Sequence, residues 1–305
     1  MRRVIPAVLV AVLLTTAGCS GLMGDEPTED VSATPMDVPE DPTYPPGVTE
    51  NGVESVSTLL HAHKEALAKQ SVTFHQETTA TRICSRVNAS DGEAFSCENS
   101  SFMYDGFIHG QYLENRSHFL THTRSESATI YDDYTVRSYA DGERVYVNQT
   151  RSDNSTYRIA YGPDGEPTDP RKMMFVNLDK EGVLTNYLHT MNVVSVERIQ
   201  DSPTELYRIT ARDFEKEDQF TNDRGYEAVS DGRLSLVVAE TGAIQSYNVT
   251  YTFTDEKGRV RFEQTVTYSD WGNTTIEEPD WLSKVNESDA QRPESHTATA
   301  TEEGR

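Results

Sequence analysis

The hydrophobic positions between residues 51 and 70 follow the spacing of one face of a helix. The residues on that face are Val53, Val56, Leu60, His63 and Leu67. Asn51 and Glu54 stand three residues apart, as in a capping box, so we expect the helix to begin there. The sequence therefore predicts an amphipathic helix that ends near Gln70.

Beyond this helix the hydrophobic period changes to two, which predicts β-strands. Val72 and Phe74 open the first strand, and Tyr157, Ile159 and Tyr161 share one face of another. The clearest hairpin turns at residues 255–258. Its inward residues are Tyr247, Val249, Tyr251 and Phe253 on one strand and Val260, Phe262, Val266 and Tyr268 on the next.

A second helix is predicted over Leu178–Met191, and the residues on its apolar face are Leu184, Tyr187, Leu188 and Met191. Strands resume at residues 193–199. Because the strands alternate between apolar and polar residues, we expect them to be antiparallel and covered on one side. The predicted fold class is α+β, a large curved antiparallel sheet (a half-barrel) with helices packed on one face.

The N-terminus has the order of segments found in exported lipoproteins. Arg2 and Arg3 precede an apolar run, Val4–Leu14, and small residues then lead to Cys19. Residues 16–19 (TAGC) resemble the lipobox of prokaryotic lipoproteins. This resemblance implies that residues 1–18 are a signal peptide, that Cys19 receives a lipid, and that the protein is held on the outer face of the cytoplasmic membrane. Export by the general secretory route or by the twin-arginine route stays open.

The chain is predicted to have a tether, one domain and a tail. Residues 19–50 follow the signal peptide, and beyond Cys19 they contain six prolines, eight acids and no base, which is typical of a disordered spacer. Residues 51–285 form the predicted half-barrel domain. Residues 286–305 are rich in Ser, Thr and Glu and are predicted to be a disordered tail.

The charge of the chain limits its partners. There are 50 acidic residues against 27 basic ones, for a net charge of −23. The acids are dispersed and lysine is scarce, which resembles the salt-adapted proteins of extremely halophilic archaea. A surface this negative repels phosphates, so no nucleic-acid partner is expected. The expected partners are the membrane, through the lipid on Cys19, and either an apolar ligand or another envelope protein.

Two further patterns fit an extracytoplasmic protein. Cys84 and Cys97 are an even pair in an oxidising compartment and flank a polar, turn-containing segment, so we predict a disulfide between them. Asparagines in the Asn-x-Ser/Thr pattern predict N-glycosylation of at least some sites, which are Asn88, Asn99, Asn115, Asn148, Asn154, Asn248, Asn273 and Asn286. A Thr-rich strand protein that makes these patterns by composition alone is the alternative.

The layout of residues 51–285 resembles a known group of proteins. The lipobox, the acidic tether, the helix that runs into residues 71–74 (SVTF) and the closing residues 275–281 (TIEEPDW) are similar to haloarchaeal lipoproteins of unknown function. Their architecture is similar to that of bacterial lipoprotein-sorting carriers and mycobacterial lipid-carrying lipoproteins. The resemblance implies a half-barrel whose concave face holds acyl chains. The candidates for the walls of such a cavity are Phe74, Tyr157, Tyr247, Tyr251 and Phe253.

No catalytic, cofactor or metal site is predicted. The nucleophile-elbow, zincin and phosphate-loop motifs do not occur. His118 and His122 share a face but have no third ligand nearby, and adjacent acids such as Asp132-Asp133 and Glu277-Glu278 are explained by the acidic composition. We therefore expect a non-catalytic lipoprotein that binds a lipid or other apolar ligand, or alternatively a glycosylated structural or interaction protein of the cell envelope. An enzyme and a polar-solute receptor are less favoured.

Overall fold

The computed structural model describes residues 43–89, 92–97, 100–127, 133–152, 154–172, 178, 180–199 and 204–285. The predicted signal peptide, Cys19, residues 20–42 of the tether and the tail lie outside these residues, as do Asn99, Asn286 and Asp132. The side chains of Asn88 and Asn115 are also outside the description, although their backbone is described.

The described part of the chain contains three α-helices, fourteen strands and short 3-10 helices. The helices are α1 (Val56–Lys69), α2 (Glu181–Thr190) and α3 (Glu217–Arg224). The strands are β1 (Val48–Thr49), β2 (Gly52–Val53), β3 (Val72–Ala89), β4 (Gly92–Ser96), β5 (Ser101–Tyr112), β6 (His118–Ser127), β7 (Tyr134–Asp141), β8 (Val145–Arg151), β9 (Asn154–Ile159), β10 (Met191–Ile199), β11 (Leu206–Phe214), β12 (Ala228–Ala239), β13 (Ile244–Asp255) and β14 (Gly258–Ser269).

Twelve of these strands form one antiparallel sheet, within the residues that the structure describes. Its strand order is β10-β11-β12-β13-β14-β3-β5-β6-β7-β8-β9, and β4 pairs with β3 beside this path. The sheet is not closed. Almost every pair of adjacent strands in the sheet is also consecutive in sequence. The main exception is the pair β14 and β3, which brings the last strand of the domain beside its first long strand. The predicted α+β fold, with a large antiparallel sheet as a half-barrel, is confirmed.

All three helices pack against the same face of this sheet, which we call the inner face. His63 of α1 lies edge-to-face on Tyr268, with ring centroids 4.9 Å apart. Tyr187 of α2 and Phe220 of α3 both contact Tyr251, at 6.2 Å and 5.3 Å. The inner face of the sheet is therefore the main hydrophobic core.

The predicted hairpin and the predicted second helix are both present. In the hairpin, β13 pairs with β14 and Asp255 faces Gly258 across the turn. Seven of the eight residues predicted to point inward are buried, with Tyr247 and Tyr251 each 1% exposed, and Phe262 is half-buried. Helix α2 buries Leu184 and Tyr187, as its apolar spacing predicts.

The start of α1 differs from the prediction. Ser55 caps the helix by accepting a hydrogen bond from the Thr58 N–H at 3.3 Å, so the capping box at Asn51 and Glu54 is wrong. Gly52–Val53 pairs instead with Val48–Thr49, and this pairing keeps the backbone extended until Ser55. The helix can begin only after that short hairpin ends.

Residues at the end of the predicted tether contact the domain. Val48 is 5% exposed and belongs to the core, and the rings of Tyr44 and Tyr207 are 5.3 Å apart. These two apolar side chains explain why the described packing begins before Asn51. Helix α3 was not predicted, because Phe220 is its one large apolar residue and no periodic stripe marks it.

The predicted disulfide joins Cys84 of β3 to Cys97, which follows β4, with the two Cα atoms 4.1 Å apart. It closes the base of the β3–β4 hairpin, at the level where β14 begins opposite Ser85 and Cys84.

We expect the Cys84→Ala/Cys97→Ala double variant to lose about 3 kcal/mol of unfolding free energy, because the bond restricts a loop of ~14 residues in the unfolded chain. Urea denaturation of both proteins, with and without reductant, measures this difference. Reductant should shift the wild-type midpoint and leave the variant unchanged. Equal midpoints for the two oxidised proteins would contradict the prediction.

His63 is a buried histidine that the fold holds neutral. It is 0% exposed, and its Nδ1 accepts a hydrogen bond from the Ile244 N–H at 3.2 Å. Burial, with a smaller contribution from Arg116, lowers the pKa of His63 from 6.5 to about 3. His61, two residues earlier on α1, is exposed, so the two histidines diverge as the helix spacing predicts.

This lowered pKa makes stability depend on pH. Below pH 6.5 the unfolded chain protonates His63 while the folded chain does not, so stability is fully present above that pH and falls toward pH 3. We expect His63 to account for a loss of about 2 kcal/mol between pH 7 and pH 5. Urea titrations of wild type, His63→Gln and the exposed control His61→Gln across this range test it. The His63→Gln profile should be flatter, and three parallel profiles would exclude this role.

Candidate functional site

The sheet has a second face, opposite the helices, which we call the outer face. Side chains alternate along a strand, so His75 points to the outer face because its neighbour Phe74 is buried on the inner one. Strand register extends this position across the sheet, pairing His75 with His109, His109 with His122, and His122 with Arg137. Three histidines and an arginine from four strands thus form one row across the outer face.

The chain after β14 passes to this outer face. The Thr274 N–H donates to the Ser71 hydroxyl at 3.1 Å, and the hydroxyls of Thr73 and Thr274 are also 3.1 Å apart. A 3-10 helix, Asp280–Lys284, then follows. Its Trp281 is 8% exposed, and the ammonium of Lys284 lies 5.4 Å from the centre of the Tyr157 ring. We call residues 274–285 the C-terminal segment.

A pocket of about 590 Å³ lies between the C-terminal segment and strands β5, β6 and β7. This volume is in the range of small-molecule sites. Its lining residues are His109, Gln111, Leu120, Thr121, His122, Arg137, Pro279, Asp280, Trp281 and Lys284. The wall therefore combines an apolar part, from Leu120, Pro279 and Trp281, with basic side chains.

The basic groups of the pocket are not engaged by carboxylates. Neither Arg137 nor Lys284 makes a hydrogen bond or ion pair with any residue that the structure describes. Exposed arginines elsewhere are of both kinds, since Arg261 pairs with Glu263 at 2.6 Å, whereas Arg208 has no ion pair within the described residues. The guanidinium of Arg137 and the ammonium of Lys284 can donate hydrogen bonds, and no described residue accepts them. They can therefore bind an anionic or polar ligand.

The two imidazoles of the pocket are biased toward the neutral form. Burial lowers the pKa of His109, and the neighbouring His75 lowers it further. Burial also lowers the pKa of His122, followed by the charges of Arg137, His109 and Arg124. Both rings can therefore accept or donate a hydrogen bond near neutral pH and become cationic in acid.

Few hydroxyl and carboxyl groups line the described part of the pocket. Its one hydroxyl residue, Thr121, is 4% exposed and its strand position directs the side chain to the inner face. In the described ranges no three His, Cys, Asp or Glu residues come together to hold a metal ion. Asp133, Glu277 and Glu278 are exposed and do not line this pocket.

The structure brings four of the five predicted cavity residues together. Phe74, Tyr247, Tyr251 and Phe253 all lie on the inner face and are between 0% and 9% exposed. Helix and loop side chains fill the space in front of them, and the Tyr226 ring stacks on Phe253 with centroids 4.1 Å apart.

Tyr157 does not belong with that group. It pairs with Asn148 of β8, which faces outward because its neighbour Val147 is a core residue of the inner face. Tyr157 therefore lies on the outer face, under Lys284. The apolar spacing of residues 157–161 reports a shared face but not which face that is.

The predicted glycosylation sites have different exposures. Asn154, Asn248 and Asn273 are exposed, and the Asn248 amide donates to the Thr265 hydroxyl at 2.9 Å. Asn148 points away from the inner face as its strand position predicts, but it is only 7% exposed. The exposed three remain the best placed for a glycan.

Sequence reasoning missed most of the pocket. His122 was considered only with His118, which instead contacts the Ser117 hydroxyl at 3.0 Å at the start of β6. His109, Arg137 and Lys284 carry no local motif, because they come from separate segments that meet only in the folded sheet. The pairing register of β5, β6 and β7 aligns His109, His122 and Arg137, and a correct prediction of that register would have found these three residues.

Comparison with known proteins adds the family. Within the described residues, no helix has the length and apolar character needed to cross a membrane. No curated protein matches the sequence. Among the solved structures that match, the crystal structure of MucB in complex with MucA(peri) has 9% identity and covers 70% of this chain and 94% of that chain. Its TM-score is 0.11, which is too low to support an argument. A family model described as "Family of unknown function (DUF7537)" matches residues 4–285, so the chain belongs to this family.

Proposed function

We propose that this protein is a lipid-anchored, extracytoplasmic binding protein without catalytic activity, and that its ligand occupies the pocket on the outer face. The observation that carries the proposal is the pocket of about 590 Å³ in which Arg137 and Lys284, which have no ion pair within the described residues, lie beside an apolar wall. A concave site of this size with a few convergent polar groups is typical of small-molecule binding.

Binding rather than catalysis is supported by the groups that line the pocket. Acid–base or nucleophilic catalysis needs a nucleophile, a base and a group that orients the base. Neither His109 nor His122 has a hydrogen bond to a described carboxylate. The pocket can therefore hold and orient a ligand, but its described residues do not form such a set.

Anchoring is supported by the N-terminal sequence. The order of basic residues, apolar run and small residues before Cys19 is that of an exported lipoprotein. The acidic, Pro-rich spacer that follows would hold the domain away from the membrane. The dispersed acids and scarce lysines support an origin in a haloarchaeal cell envelope.

A lipid or other apolar ligand on the inner face is the second candidate. The aromatic inner face under three helices favours it, since Phe74, Tyr247 and Tyr251 are all of the type that would contact an acyl chain. However, Tyr251 is packed against Tyr187 of α2 and Phe220 of α3, so an apolar ligand would reach it only if these helices moved away from the sheet. A glycosylated envelope protein with no small ligand is the third possibility.

We expect Cys19→Ser to release the protein from the membrane, because only the thiol of Cys19 can carry the lipid. Cell fractionation measures the distribution of wild type and variant, and intact-mass analysis measures the lipid on the mature wild-type chain. Ser20→Ala, which leaves the cysteine intact, is the matched control. A Cys19→Ser protein that stayed in the membrane fraction would count against a lipid anchor.

Native mass spectrometry of the full chain, purified in high salt before and after organic extraction, identifies the ligand. We expect a small molecule that is lost when Leu120→Trp fills the pocket. It should be retained by Val237→Trp, which adds the same ring to the same outer face on the distant strand β12. A co-purifying lipid that both variants retain would favour the inner face, and a ligand-free protein would favour the envelope protein.

A further inference from the structure

We infer that the pocket binds a small organic anion, whose charged group contacts Arg137 and Lys284 and whose apolar part packs against Trp281. This inference deepens the proposed function and depends on it. The chemical class it names is a carboxylate or phosphate ester with an apolar body.

The charge of the pocket is opposite to that of the chain. The whole chain has a net charge of −23, yet among the described lining residues Arg137 and Lys284 are cations and Asp280 is the one carboxylate. An acidic surface elsewhere repels anions, so a local pair of cations is needed to hold one. An anion bound there would accept the hydrogen bonds of Arg137 and Lys284, which no described residue accepts.

The apolar side of the pocket indicates an organic molecule. The exposed parts of Leu120 and Pro279, together with the 8% of Trp281 that remains exposed, would stay in contact with water if a lone inorganic ion occupied the site. Covering them with the body of a ligand is favourable by about 25 cal/mol for each Å² of apolar surface removed from water. The volume of about 590 Å³ is far larger than an inorganic ion requires.

The geometry suits a salty environment. At 1 M salt, charges are screened beyond about 3 Å, so distant attraction contributes little to binding. Direct hydrogen bonds to a guanidinium persist, because donor and acceptor are in contact and the guanidinium can bind both oxygens of one carboxylate. At high salt, direct contact with Arg137 therefore contributes more to anion binding than long-range attraction by a basic surface would.

Proton uptake should accompany binding. His109 and His122 line the pocket, and burial lowers the pKa of each, so both favour the neutral form. The charged or titratable groups that face them are His75, Arg124 and Arg137 from the sheet and Asp280 and Lys284 from the C-terminal segment. A bound anion would raise the pKa of both rings, so its affinity should increase as the pH falls.

Matched acids and amides test the inference with the full chain. The probes are benzoate with benzamide, indole-3-acetate with indole-3-acetamide, and inorganic phosphate alone, all in 1 M potassium chloride. Binding is measured by ligand-observed NMR and by fluorescence in a Trp271→Phe background, where Trp281 is the remaining tryptophan. We expect each acid to bind at least tenfold more tightly than its amide.

Variants identify the residues that bind the charge. Arg137→Gln and Lys284→Gln should each weaken binding of the acids by about tenfold, which is the usual cost of losing one charge-assisted hydrogen bond. Arg208→Gln removes the same charge from an exposed position on the same face, on β11, and should have no effect. Lowering the pH from 8 to 5.5 should tighten binding severalfold, but not in the His109→Gln/His122→Gln variant.

The outcomes separate this inference from the proposed function. If acids and amides bind equally and Leu120→Trp abolishes both, the pocket is a binding site but the anionic class is wrong. Binding of inorganic phosphate alone would also overturn the organic class. If no probe binds at millimolar concentration and Leu120→Trp leaves any co-purifying ligand in place, both the inference and the proposed site are wrong.

Discussion

The two faces of one open sheet cannot be covered by the same part of the chain. Side chains alternate along every strand, so residues such as Phe74 and His75 face opposite ways however the rest of the chain folds. Three helices cover the inner face, where Tyr247 and Tyr251 are each 1% exposed. The C-terminal segment covers part of the outer face and buries Trp281 to 8% exposure. The incomplete outer cover leaves the pocket.

This division explains why the pocket has mixed chemistry. The inner face is a core, and core positions of one-sided strands are apolar. The outer face is the polar side of the same strands, so a pocket on it is lined by imidazole and guanidinium groups. The C-terminal segment adds the apolar wall through Pro279 and Trp281. A pocket between sheet and helices would have been apolar throughout, and would have required displacement of the packed side chains of α2 and α3.

The same division bears on the resemblance to lipid carriers. The half-barrel with helices on one face is present, as the layout predicts. The acyl-chain site that the resemblance implies would fall on the inner face, where Phe220 and Tyr226 contact Tyr251 and Phe253. A shared fold can host different sites, so the fold does not transfer the ligand. The charges and the volume on the outer face are observed in this chain itself and carry more weight.

The sequence by itself determined the local features of this protein. Alternation predicted the β13–β14 hairpin, helical spacing predicted α2, and the cysteine count predicted the Cys84–Cys97 bond, because each depends on neighbouring residues or on a unique pair. Helix α3 was missed, since its single large apolar residue leaves no periodic signal, and the short β1–β2 pairing displaced the predicted start of α1 to Ser55. Only the tertiary structure decided that Tyr157 lies on the outer face and that His109, His122, Arg137 and Lys284 line one pocket. Their proximity depends on strand register and on the path of the C-terminal segment, and both are set by contacts between residues far apart in the chain.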